Sequence, residues 1–174
     1  MQNENVKTPN KELAAVCGLF CSACSVYIGT QEDPEKLKFI AERMQCSTEE
    51  IKCDGCRAKR QSTYCKTCAI SKCASEKGLD FCGECTDFPC ELLSDFQKAM
   101  PHRIELWQNL THIKEAGFEQ WYMEMVEHYS CPDCGTINST YDLACRNCGK
   151  TPSCKYVELH QDEIEKYFKE AINH

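Results

Sequence analysis

The sequence predicts a mainly α-helical protein with small irregular or β metal-knuckle regions: a metal-stapled, cysteine-rich helical domain followed by a small four-cysteine module. Three observations predict it. Cysteine supplies 17 of 174 residues, mostly as C-x2-C pairs. Apolar residues between the cysteine clusters recur at i, i+3 and i+4, the period of an amphipathic helix. No run of β–α alternation supports a parallel sheet.

The expected organisation is a polar N-terminal segment (1–12), a cysteine-rich metal-binding helical domain (13–128), a metal module (129–152) and a C-terminal amphipathic helix (153–174). Asn10 is placed to cap a short helix through Leu13 and Val16. Asp33-Pro34 reads as N-cap and first helical residue, and Leu37, Ile40, Ala41 and Met44 then share a face. Ser47 to Glu50 is a capping box. Leu92, Leu93, Phe96, Ala99 and Met100 mark a helix that ends before Pro101. Leu106, Trp107, Leu110 and Ile113 mark another, stopped by Gly117. Phe118, Trp121, Tyr122, Met125 and Val126 follow at helical spacing. Ile164, Tyr167, Phe168, Ala171 and Ile172 repeat the pattern in the tail. These stripes read as core packing.

Hydrophobic residues make up 42% of the chain, but that figure counts the cysteines. Without them the core is thin for this length, so metal or disulfides must help hold the fold. The polar start, MQNENVKTPNKEL, has no apolar signal core. The least polar stretch, Ala14 to Ile28, is too short to span a bilayer. Both features point to a cytoplasmic protein with no membrane segment. Thiols stay reduced there, and dense C-x2-C pairs are metal ligands. The formal net charge is -7. Three or four tetrathiolate zinc sites would move it toward roughly -13 to -15. That balance argues against nucleic acid and leaves a protein partner as the expectation. Arg57, Lys59, Arg60, Lys66 and Lys72 lie inside the cysteine region, where they can offset thiolate charge.

The clearest motif is the pair Cys131-Pro-Asp-Cys134-Gly135 and Cys145-Arg-Asn-Cys148-Gly149. A two-residue gap lets both sulfurs of a pair reach one ion about 2.3 Å away. The glycine after each pair tolerates the positive φ that turns backbone N–H groups toward thiolates. Thr136 to Ser139 offers a short strand and turn between them. The module resembles a zinc ribbon of the rubredoxin-like type. Four protein ligands make a closed, structural site, and iron fits the same tetrahedron.

Upstream stand Cys17, Cys21 and Cys24, then Cys53 and Cys56, Cys65 and Cys68, Cys73, Cys82 and Cys85, and Cys90. Zinc, as several ions, is the expected cofactor, with an iron–sulfur cluster as the alternative in this N-terminal group. One partition joins Cys53, Cys56, Cys65 and Cys68, and separately Cys73, Cys82, Cys85 and Cys90. Interleaved sets are equally compatible with the order. Cys17, Cys21 and Cys24 then need a fourth ligand, from Cys46, a downstream cysteine or solvent. Only solvent would leave an open position for chemistry. The C-x3-C-x2-C spacing is that of radical S-adenosylmethionine enzymes, but Ala23 stands where an aromatic is usual. Neither Gly-Gly-Glu nor a β/α barrel pattern is present. His102, His112, His128, His160 and His174 read as surface or packing residues.

CGLFCSACSVYIG, CDGC, YCKTC and KCASEKGLDFCGECTDFPC, with the helix after them, resemble the cysteine-rich bacterial and archaeal family catalogued as domain of unknown function 3795. The resemblance runs from about Cys17 to Met125. It implies metal binding, zinc above all, by the eleven cysteines from Cys17 to Cys90 other than Cys46. It implies no reaction. With no catalytic constellation in the motifs, the expected role is a non-enzymatic adaptor or regulator. The alternative is an iron–sulfur redox protein or an enzyme with an open metal position at Cys17, Cys21 and Cys24.

Overall fold

The computed structural model describes residues 8–172. Asn10 accepts a hydrogen bond from the Glu12 N–H and caps only a 3-10 turn, Lys11–Leu13. The expected helix does not continue to Val16, because Ala14 turns extended and bridges Phe20. Gly18, at φ 83°, makes the tight return between them. This loop delivers Cys17 and Cys21 to the interior.

Helix α1 (Ser25–Gln31) and helix α2 (Pro34–Arg43) pack closely, since a Cβ on Gly29 would stand 3.0 Å from the Leu37 backbone. Asp33 caps α2 by accepting from the Lys36 N–H at 3.0 Å. Leu37 and Ala41 are buried, whereas Met44 lies past the helix end and is 51% exposed. The Ser47–Glu50 capping box forms and starts α3 (Thr48–Ile51). Leu37, Ala41 and Ile51 make a small core of their own, with Cys46 packed against it.

Two short helices follow, α4 (Thr63–Lys66) and α5 (Ala69–Glu76), then α6 (Glu91–Lys98). Helix α7 (Leu106–Ala116) turns into α8 (Phe118–Tyr129) at Gly117, whose φ of 90° favours glycine. The tail is α9 (Lys155–Ile172), kinked at His160.

Helix α8 is the spine of the main core. Trp121 and Tyr122 are fully buried, and Phe20 meets Tyr122 edge-on at 5.2 Å. On the other side Tyr129 stacks on Tyr156 of α9 at 5.0 Å. Each large buried ring adds about 1.5–3 kcal/mol of hydrophobic stabilisation. Strand structure among the described residues is limited to two isolated bridges, Ala14 to Phe20 and Ser130 to Ile137. The strand expected at Thr136 to Ser139 is thus reduced to one bridge at Ile137.

Candidate metal centre

Cys131, Cys134, Cys145 and Cys148 bring their sulfurs within 4.8 Å of one another. Among the described residues they are the one set of three or more thiols, imidazoles or carboxylates to do so. Each half is built alike. The Gly135 N–H donates to the Cys131 carbonyl at 2.8 Å, and the Gly149 N–H to the Cys145 carbonyl at 2.9 Å. Both glycines have positive φ, 71° and 75°. The Cys131–Cys148 and Cys134–Cys145 sulfurs are 3.6 Å apart. A tetrahedral ion with 2.3 Å bonds has edges of about 3.8 Å, so the set fits a single zinc or iron.

Asn138 supports this cluster and was not foreseen. It is wholly buried. Its Nδ2 lies 3.6 Å from Cys145 Sγ and donates to the carbonyls of Thr136 (2.9 Å) and Ser153 (3.2 Å). Its Oδ1 accepts from the Arg146 N–H at 3.0 Å. Hydrogen bonds from the side chain and backbone of Thr136 hold the Cys134 thiol down to about 6, toward the thiolate a metal requires.

The eleven upstream cysteines are arranged differently. Cys21 is hydrogen-bonded to Cys56, and that bond, with burial, pushes the Cys21 thiol up. Cys53 is hydrogen-bonded to Cys65, which holds Cys53 down to about 6. Cys24 is neighbour to Cys53 and Cys56, and Cys17 to Cys56, Cys82 and Cys68. The two members of the 53–56 pair therefore face different partners. Cys46 is apart from all of these, with its Sγ 3.8 Å from the Ala41 carbonyl.

Cys73, Cys82, Cys85 and Cys90 line one cavity. Burial raises the Cys82 thiol to about 12, and the charges of Cys90, Cys73 and Cys85 add to the effect. Three cations of this region are engaged. Arg60 pairs with Asp54, Lys72 with Glu76, and Arg57 donates to the Ala14 carbonyl at 2.8 Å and lies over the Phe81 ring.

The histidines pair with other side chains: His102 with Tyr141, His112 with Glu124, and His128 and His160 both with Glu105. His174 lies outside the described residues.

Fold and site together define a mainly helical, cysteine-rich protein with a cluster of four cysteines that could hold a metal ion. No described helix is long and apolar enough to cross a membrane. Residues 13–95 match the family described as "Protein of unknown function (DUF3795)". The match takes in the cysteines from Cys17 to Cys90, ends well before Met125, and does not reach the four-cysteine cluster. No curated protein and no solved structure matches the chain.

Proposed function

We propose that this is a non-enzymatic metal–thiolate protein of the cytoplasm. In this reading Cys131, Cys134, Cys145 and Cys148 hold one zinc ion as a closed zinc ribbon, the upstream cysteines bind further metal, and the chain acts as an adaptor or regulator for a protein partner. The observation that carries it is the convergence of four protein sulfurs to tetrahedral spacing. Four protein ligands fill the coordination sphere of zinc, so such an ion works as a staple. Cys56 beside Cys21 also favours a protein ligand over solvent at the Cys17, Cys21 and Cys24 loop.

Metal analysis of natively purified protein tests the first part. Zinc is expected, with one equivalent lost in Cys134→Ser. A Cys134→Ser protein that retains the full zinc content would sink it. The adaptor role is tested by gel filtration of cell extract at native expression level. Elution in a complex that survives mild crosslinking is expected, whereas elution as the free 19.9 kDa chain counts against it.

A further inference from the structure

The strongest unassigned feature is a buried cation without a counter-ion. Arg103, 8% exposed, is the one charged residue in the described core. Its hydrogen-bond acceptors are all uncharged. Nη1 donates to the Phe96 carbonyl at 2.9 Å, Nε to His102 Nε2 at 3.1 Å and Nη2 to the Tyr64 hydroxyl at 3.3 Å. Burial, and then the Arg103 charge, hold His102 down to about 3, so its ring stays neutral. Among the described residues Arg103 is in no ion pair. We infer that Arg103 and Tyr64 form the docking point for an acidic side chain of a partner protein, which supplies the missing carboxylate.

A charge taken out of water is costly unless an opposite charge meets it. The Phe96 ring, its centroid 3.6 Å from the guanidinium carbon, and the Phe96 carbonyl offset part of that cost. Three of the five N–H groups are used, so the fork keeps donors in reserve. Tyr64 carries the site to the surface. It is 54% exposed, and among the described residues its hydroxyl accepts from Arg103 and donates to nothing. An incoming carboxylate can accept from that hydroxyl, which the guanidinium polarises.

The surroundings favour a protein segment over a free anion. The Tyr64 ring is exposed, and Leu92, 41% exposed, stands one turn before Phe96 on α6, so apolar surface accompanies the charge. Tyrosine and arginine side chains are enriched among the residues that dominate protein interfaces. Lys66, on the same short helix as Tyr64, is exposed and in no ion pair among the described residues. The chain carries -7 overall, so attraction of an acidic segment comes from such uncompensated local cations and not from the net field. The docking point presupposes the adaptor role proposed above and fixes where, and by what charge, the partner is held.

The test is selection of a displayed random-peptide library on the immobilised full chain, followed by titration with the tightest synthetic peptide. The Arg103 Nε–H and the Tyr64 ring are followed by NMR. Selected peptides are expected to share an aspartate or glutamate beside an apolar residue and to shift both signals. Replacing that acid by its amide is expected to weaken binding about 10–100-fold. Tyr64→Phe removes only a hydroxyl from a half-exposed side chain and is expected to weaken binding about tenfold. Arg103→Lys keeps the charge but loses the fork, and is expected to weaken it by a similar factor. Peptides without a shared acid overturn the inference, as does wild-type affinity in Tyr64→Phe. Inorganic phosphate that shifts both signals while acidic peptides leave them unmoved overturns it in favour of a small-anion site. Failure of the adaptor reading shows separately, as wild type that elutes free from extract. A complex in extract that Tyr64→Phe and Arg103→Lys leave intact overturns the docking point alone.

Discussion

Asn138 is an uncharged side chain placed to support the proposed metal site. Its amide nitrogen faces Cys145 Sγ while its other contacts tie the inner loop to Arg146 and Ser153. Supporting partners of this kind typically carry 10–100-fold in metal affinity. Asn138→Ala is therefore expected to weaken zinc binding by roughly that factor, as measured by competition against a chromogenic chelator; wild-type affinity would refute the role. The cysteines were legible because ligand pairs obey a local spacing. Asn138 was not, because its role depends on being wholly buried, which only the tertiary fold decides. Gly83 is a second case of this kind. Its Cβ would meet the Leu110 backbone oxygen at 2.7 Å, and backbone has little room to yield. Gly83→Ala is expected to cost about 2–3 kcal/mol, read as a lower urea midpoint at unchanged slope.

Helices marked by a side-chain cap, α2 and α3, or by a long apolar stripe, α7 and α8, were readable. Helices α1 and α5 begin at Cys24 and Cys68 with no side-chain cap, and α4 is a single turn, so local signals did not mark them. The joint between the three later helices was also hidden. Glu105, at the start of α7, accepts from His128 of α8 and His160 of α9 at 2.9 and 2.8 Å, and it is largely buried. Burial opposes its ionisation, but the two imidazoles outweigh it, so the Glu105 carboxyl titrates below its ordinary value of 4.5. Tyr129 and Tyr156 are the other titratable groups near it. A depressed carboxyl contributes stability that is complete above its unfolded value and is lost as pH falls through the folded one. Glu105→Gln is expected to cost about 1–3 kcal/mol at neutral pH, with the difference from wild type shrinking below pH 4.5. A constant difference in urea stability from pH 7 down to pH 3 would show that the charge of Glu105 is not what binds the helices.

At the scale of the molecule, the four-cysteine cluster is continuous with the main core. Ile137 and Leu143 pack on the same apolar cluster as Phe20, Trp121 and Ile164, and the Asn138 N–H donates to the Tyr129 carbonyl at 2.9 Å. Two further ties reach back to the first helices. Lys36 of α2 pairs with Asp142, and Arg146 with Glu32, in places where the side chains are mostly shielded from solvent. The sequence displayed the 131–148 motif as a separate piece because its knuckles are local, whereas these ties link residues more than a hundred positions apart. Their consequence is mechanical. If the cluster holds an ion as proposed, its loss would free the loop that leads to Tyr156 and the start of α9, and the effect should spread through α8. Cys148 is the exposed cysteine of the four, and Cys148→Ser would remove one proposed metal bond with little direct change in packing. Trp107 and Trp121 both lie outside the cluster and report on the helices. Cys148→Ser is expected to lower the tryptophan-monitored unfolding temperature in one transition by about 6–12 °C, for a loss of about 3 kcal/mol in a chain of this size. An unchanged tryptophan midpoint, with the zinc lost, would mean that the cluster folds and fails on its own and that the helical core does not depend on it.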